Sequence, residues 1–237
     1  MKHKTVGLCA FILGCAMASW ASAAPILDLS IQCQDHTDVW ASVIHDQGDG
    51  TLLFTGSHTC TDGKYVAEWD ITVDPDPYVI AHYSITNSSL VTQTYTIPAI
   101  LSVSPAITPS SFMGGSVAGS LTPDITAATL TSVSGSSIYT AYIDGNPVGY
   151  LLADPYSVTA SSPFSTVNVL PDAFGSPIPS ANGPAVNTNI GITLKFTLTP
   201  GDTASFTSIF VVEPVPEPAA LGLLSLAGLA ALRRRRA

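Results

Sequence analysis

The chain has 237 residues, with 8 Lys and Arg against 17 Asp and Glu, a formal net charge of −9 at pH 7. The imbalance is sharper inside. Between Ala24 and Pro216, Lys64 and Lys195 stand alone against 16 acidic residues, a net charge of −14. Such a body repels nucleic acid and anionic lipid, which excludes both as ligands of that region. Its length of roughly 190 residues suits one domain with a sizeable core.

The first element in chain order is a leader. Lys2 and Lys4 form a basic n-region, Val6 to Met17 an apolar h-region, and Ala21-Ser22-Ala23 a small-x-small cleavage site. This is the pattern of a secretory signal peptide, so residues 1–23 are assigned to it and signal peptidase becomes a partner. The mature chain then starts at Ala24, because cleavage one residue later would place Pro25 beside the scissile bond. Ile12-Leu13-Gly14-Cys15 also resembles a lipobox, which would acylate Cys15. Leu13 is atypical there, and the apolar stretch runs on to the conventional site.

Residues 24–213 read as one exported β domain. Strand signals recur and helical periodicity does not. Ile26 to Cys33 alternates loosely. Val39 to His45, then Asp49-Gly50, then Leu52 to Thr55 predicts a hairpin. Lys64 to Val73 is a further strand, and Tyr78 to Thr86 and Leu90 to Ile97 flank a turn at Asn87-Ser88-Ser89. Ser137 to Ile143 and Val148 to Leu152 flank Asp144-Gly145-Asn146-Pro147. Ile192, Leu194, Phe196 and Leu198 line one face of a strand, and Pro200-Gly201-Asp202 turns the chain into Ala204 to Val212. Leu101 to Thr140 carries 16 Ser or Thr in 40 residues and reads as thin strands with long loops. Asp154 to Pro184 holds six prolines and reads as an irregular excursion. Many short strands separated by turns predict an all-β, antiparallel sandwich.

Residues 214–237 have a different character. Val215-Pro216-Glu217-Pro218 precedes an apolar block of 14 residues, Ala219 to Leu232, and then Arg233, Arg234, Arg235 and Arg236. A helix of that length spans about 21 Å against a hydrocarbon core of roughly 30 Å, so it is a short anchor. The arginines extend it by snorkelling and hold its end in the cytoplasm, with the body outside. Pro216 and Pro218 keep the Glu217 backbone extended, a form open to a processing enzyme.

This tail resembles the PEP-CTERM sorting signal of exopolysaccharide-producing Gram-negative bacteria. The resemblance covers Val215 to Ala237. It implies transient residence in the inner membrane, processing by an exosortase acting at Val215 to Pro218, and delivery to the cell surface or extracellular matrix. The body is similar, less specifically, to bacterial Ig-like sandwiches. The residues that carry this are Asp76-Pro77-Tyr78, Tyr83 to Asn87 and Gln93 to Thr96, then Leu194 to Asp202 and Ala204 to Thr207.

Chemistry-bearing motifs are sparse. Neither G-x-S-x-G nor H-E-x-x-H occurs. Gly114-Gly115-Ser116-Val117-Ala118-Gly119-Ser120 imitates a phosphate loop but lacks its lysine, and reads as a flexible glycine loop. Cys33 and Cys60 remain after leader removal, and an oxidising compartment predicts a disulfide between them. It would close a 28-residue loop, worth about 3.5 kcal/mol. His45 and His58 flank the Asp49-Gly50 turn and, with Asp46, offer a conceivable zinc or copper site, although ordinary surface histidines are the simpler reading. Asp46 and Asp49, and Asp70, Asp74 and Asp76, match no calcium loop and read as solvated turns. Trp40, Trp69, Tyr65, Tyr78 and Tyr83 are either core or a stacking platform for sugars.

The sequence therefore predicts no cofactor, no resident metal and no enzyme. It points to an exported structural protein of the surface or exopolysaccharide matrix. The alternative is a non-catalytic carbohydrate-binding module of that matrix.

Overall fold

The computed structural model describes residues 27–34, 36–74 and 77–216. The expected leader, residues 1–23, the expected mature start at Ala24, and the tail from Glu217 through Ala237 lie outside the described residues. Among those described there is no helix, and none long and apolar enough to cross a membrane.

Among the described residues sixteen strands form two antiparallel sheets of eight. The first runs β11 (Asn146–Leu151), β10 (Tyr139–Ile143), β15 (Asn189–Leu198), β7 (Gln93–Ser102), β1 (Leu27–Cys33) and β2 (His36–Val39). β9 (Ala128–Ser132) also pairs with β15, and β12 (Ser157–Ala160) with β9. The second sheet runs β13 (Val167–Phe174), β8 (Ile107–Thr122), β16 (Thr203–Pro214), β6 (Tyr78–Asn87), β5 (Tyr65–Asp74), β4 (Leu52–Thr59) and β3 (Val43–Asp46). β14 (Ala181–Val186) joins it beside β8.

The period-2 pattern explains how these strands stack into a sandwich-like body. β5 buries Tyr65, Ala67, Trp69, Ile71 and Val73, and turns Glu68 and Asp70 outward. β15 buries Ile192, Leu194, Phe196 and Leu198 from the other sheet. Each fully buried large side chain contributes about 1.5–3 kcal/mol. Rings from both sheets meet in the shared core. Tyr65 lies edge-on to Tyr95 at 6.0 Å, Tyr95 meets Phe196 at 5.6 Å, and Phe196 meets Phe206 at 5.0 Å.

The expected turns form where turn chemistry demands them. Asp144 and Gly145 take φ of 50° and 75° in the tight turn between β10 and β11, a conformation that Asp-Gly favours. The Asp49-Gly50 and Asn87-Ser88-Ser89 turns join β3 to β4 and β6 to β7.

Three expectations are corrected. Val39 to His45 is not one strand: β2 belongs to the first sheet and β3 to the second, so the chain crosses between sheets at Trp40 to Ser42. The Ser/Thr-rich stretch contains β8, which at 16 residues is the longest strand described. The glycines of the expected flexible loop lie inside β8, because they let other groups approach. A Cβ on Gly115 would lie 2.5 Å from the Tyr139 hydroxyl and 2.7 Å from Phe174 Cε1. The proline-rich excursion is likewise drawn into the sheets, as β12 in the first and β13 and β14 in the second. Register shifts at Val169/Asp172 and Pro184/Val186 absorb Pro171 and Pro184, which have no amide hydrogen for the ladder.

Candidate functional site

The crossover from β2 to β3 brings an edge of one sheet against an edge of the other. There, two short strand pairs converge. His36-Thr37-Asp38 lies on β2, and His58-Thr59 ends β4 with Cys60 the next residue. In a strand, residues two apart share a face. Each segment therefore offers two chemical side chains on one face and an exposed threonine on the other.

Asp38 is the hub. Its Oδ1 lies 3.0 Å from His36 Nε2, and its Oδ2 lies 3.4 Å from His58 Nε2. The Tyr65 hydroxyl donates to Oδ2 at 2.5 Å. The ligand-type atoms of His36, Asp38 and Cys60 all fall within 4.8 Å of one another. His58 Nε2 is shielded from solvent yet makes no hydrogen bond. Access is graded: the His36 side chain is 47% exposed, that of His58 29% and that of Asp38 13%, while Cys60 is buried.

Electrostatics follow from this packing. Burial pushes the Asp38 carboxyl up, but hydrogen bonds from Tyr65, Cys60 and His36 outweigh it and hold it below the ordinary range. Burial, reinforced by Asp62, pushes the Cys60 thiol up to about 11. Its Sγ donates to Asp62 Oδ1 at 2.9 Å, and Lys64 Nζ sits 2.6 Å from Asp62 Oδ2. Burial and the neighbouring Asp38 push the Tyr65 phenol well above its usual value, so it stays a donor.

The expected Cys33–Cys60 disulfide is absent. Both thiols are free and buried. Each is engaged with its own acceptor: Cys33 Sγ donates to Gln93 Oε1 at 3.5 Å, while Cys60 turns to Asp62.

The conceivable His45–His58–Asp46 grouping is not formed either. His45 pairs with Leu53 near the far end of β4, whereas His58 pairs with Ala67. Asp46 and Asp49 instead cap their own turn, accepting from Gly48 N at 2.8 Å and Thr51 N at 3.0 Å. The group that His58 does approach, Asp38, sits in a segment readable as the repeated H-T-D and H-T-C spacing. What hid it was the assignment of residues 39–45 to a single strand, which left His36 without an element.

A second feature lies on the outer face of the second sheet, an open groove of about 840 Å³. Register builds it as two rows across five strands. Thr55, Asp70, His82, Thr207 and Ala118 form one row; Ser57, Glu68, Ser84, Ser205 and Ser120 form the other. His82 Nδ1 and Thr207 Oγ1 are 3.0 Å apart across adjacent strands. The groove offers hydroxyls, one imidazole and two carboxylates. Of the expected aromatic platform, Trp69 and Tyr83 underlie the groove but are buried, Trp40 and Tyr65 are buried too, and Tyr78 is half-buried, so no ring is exposed for stacking there.

Val215 and Pro216, the first two residues of the expected sorting motif, follow the end of β16. Val215 N approaches Ser110 O at 3.5 Å, and Pro216 is exposed. No protein-family model matches this chain, and no curated protein matches it.

Proposed function

We propose that this is an exported structural protein of the cell surface or exopolysaccharide matrix, sorted by its C-terminal tail. The observation that carries the reading is the order Val215-Pro216-Glu217-Pro218, a short apolar block and Arg233 to Arg236 at the end of the sequence. In this reading the leader takes the chain across the inner membrane, the arginines hold its tail there, and an exosortase acts at the motif. The body is non-enzymatic. It is an elaborated Ig-like sandwich, since its sixteen strands exceed the roughly seven to nine of an immunoglobulin domain. β16 ends at Pro214, so processing in the next few residues would leave both sheets whole.

The test replaces Pro216, Glu217 and Pro218 with Ala in the producing cell. Unprocessed protein retained in the inner membrane is the expected result. Normal maturation and release of the triple variant would overturn the sorting reading.

The groove favours a second reading, in which the body binds polysaccharide without altering it. Ten aligned positions, nine of them carrying hydroxyl, carboxylate or imidazole, suit a polyol better than an apolar or anionic ligand. Retention of the mature chain on the producing cell's own polysaccharide, lost in Asp70→Ala and His82→Ala at unchanged melting temperature, would favour it. Equal retention of wild type and variants would sink it.

A further inference from the structure

We propose that His36, Asp38, His58 and Cys60 form a binding site for a borderline divalent transition metal, with Zn²⁺ the best match. The argument begins with donor chemistry. Two imidazoles, a carboxylate and a thiol are a nitrogen, oxygen and sulfur set that suits zinc and is wrong for calcium or magnesium, which take oxygen. Four such donors match the coordination number of a tetrahedral structural site. Asp38 and a Cys60 thiolate would carry two negative charges, which the divalent ion cancels.

Geometry supports the same assignment. Zinc bonds of about 2.0–2.3 Å place tetrahedral ligand atoms roughly 3.3–3.8 Å apart. The His36–Asp38 and His58–Asp38 approaches are already 3.0 and 3.4 Å, and His36, Asp38 and Cys60 donor atoms lie within 4.8 Å. A contraction of about 1 Å at their widest pair brings the His36, Asp38 and Cys60 donors to these spacings, and His58 joins them through its approach to Asp38. His58 Nε2 is the independent indication. It is shielded from solvent, aimed at Asp38 and without a hydrogen bond, a state that burial penalises unless another partner is present. A metal ion supplies that partner.

The surroundings fit the role. The Tyr65 hydroxyl orients the Asp38 carboxylate from inside the core, as outer hydrogen bonds do in metal sites. Metal binding would release the Cys60 proton to solvent. The half-exposed His36 leaves an entry path from solvent. The ligands come two from each sheet, β2 of the first and the end of β4 in the second. The ion would therefore staple the sandwich edge where the chain crosses over.

The experiment uses the full chain, purified from the periplasm and stripped with chelator. Co²⁺ is titrated as a spectroscopic probe, then displaced with Zn²⁺. We expect one Co²⁺ per chain, with tetrahedral visible absorption and a thiolate-to-cobalt charge-transfer band, both erased by one equivalent of Zn²⁺. Zn²⁺ should also raise the melting temperature. Cys60→Ser should abolish the charge-transfer band, and Cys33→Ser should retain it. His36→Gln, on a half-exposed side chain that folding does not need, should weaken affinity at least ~10-fold, and Tyr65→Phe should weaken it about 10-fold through positioning alone. The proposal is overturned if no Co²⁺ binds, if the band survives Cys60→Ser, if Cys33→Ser removes it, or if the native protein is isolated with Cys33 and Cys60 oxidised together.

Discussion

Trp40 and Trp69 stack face to face, ring centroids 4.3 Å apart and planes 6° from parallel. Trp40 begins the crossover between sheets and Trp69 lies mid-β5, so their contact fixes the path of that crossover. Trp69 Nε1 reinforces it by donating to Ser42 Oγ at 2.9 Å, two residues past Trp40. Both rings are about 4% exposed, which assigns them to the core.

Removing either ring should therefore be costly. Trp40→Ala and Trp69→Ala should each lower stability by about 3–5 kcal/mol, measured by denaturant unfolding. In a chain beginning at Ala24 these are the two tryptophans, so emission reports the pair. It should be blue-shifted and resist iodide and acrylamide. Quenching of the native protein would contradict this packing.

Asp144 clamps the β10–β11 turn to the segment entering β15. Its Oδ1 accepts from Thr188 N at 2.8 Å and Asn189 N at 3.1 Å, and its Oδ2 from Asn187 N at 2.9 Å. Burial pushes its carboxyl up, but these backbone donors outweigh it and hold it well below the usual range. A depressed folded value means the stabilisation is present above the unfolded value of about 3.9 and is lost as pH falls towards the folded one. Asp144→Asn, which tolerates the left-handed backbone here, should melt below wild type at pH 7. The gap should narrow steadily as pH drops below about 4. A gap independent of pH would show that the charge contributes nothing.

The two thiols give a direct chemical test. Burial raises both above their ordinary value, Cys60 to about 11, so neither is a thiolate at neutral pH. The metal-free chain beginning at Ala24 should leave Ellman's reagent almost unreacted when native. It should release two equivalents on unfolding in guanidinium without reductant. Zero equivalents after unfolding would mean that the cysteines are bridged.

Gly115 tests whether the glycines of β8 are there for close approach. An added methyl would meet the Tyr139 hydroxyl at 2.5 Å and Ile209 O at 2.9 Å. Tyr139 is fully buried and donates to Ile209 O at 2.8 Å, so neither neighbour yields easily. Gly115→Ala should cost about 1–3 kcal/mol, the range of overpacking. Ser116→Ala on the same strand should change stability by no more than about 0.5 kcal/mol. Equal melting temperatures would remove the close-approach explanation.

The sequence by itself determined the all-β class and the turns. Period-2 alternation at Ile192 to Leu198 and turn residues such as Asp144-Gly145 and Asn87-Ser88-Ser89 act within a few residues, so local pattern is enough to read them. It also carries the whole case for export and sorting, because leaders and sorting tails are linear signals read as extended chain or as single helices. Tertiary structure alone decided which strands became neighbours. β8 was obscure because its Ser, Thr and Gly positions form the outer groove and the close approach beneath Tyr139, and neither depends on hydrophobic alternation. The Asp38 cluster was obscure for the converse reason. Its residues come from two sheets and meet only because the chain crosses between them at Trp40, and a contact between residues twenty or more positions apart leaves no periodic mark in the sequence.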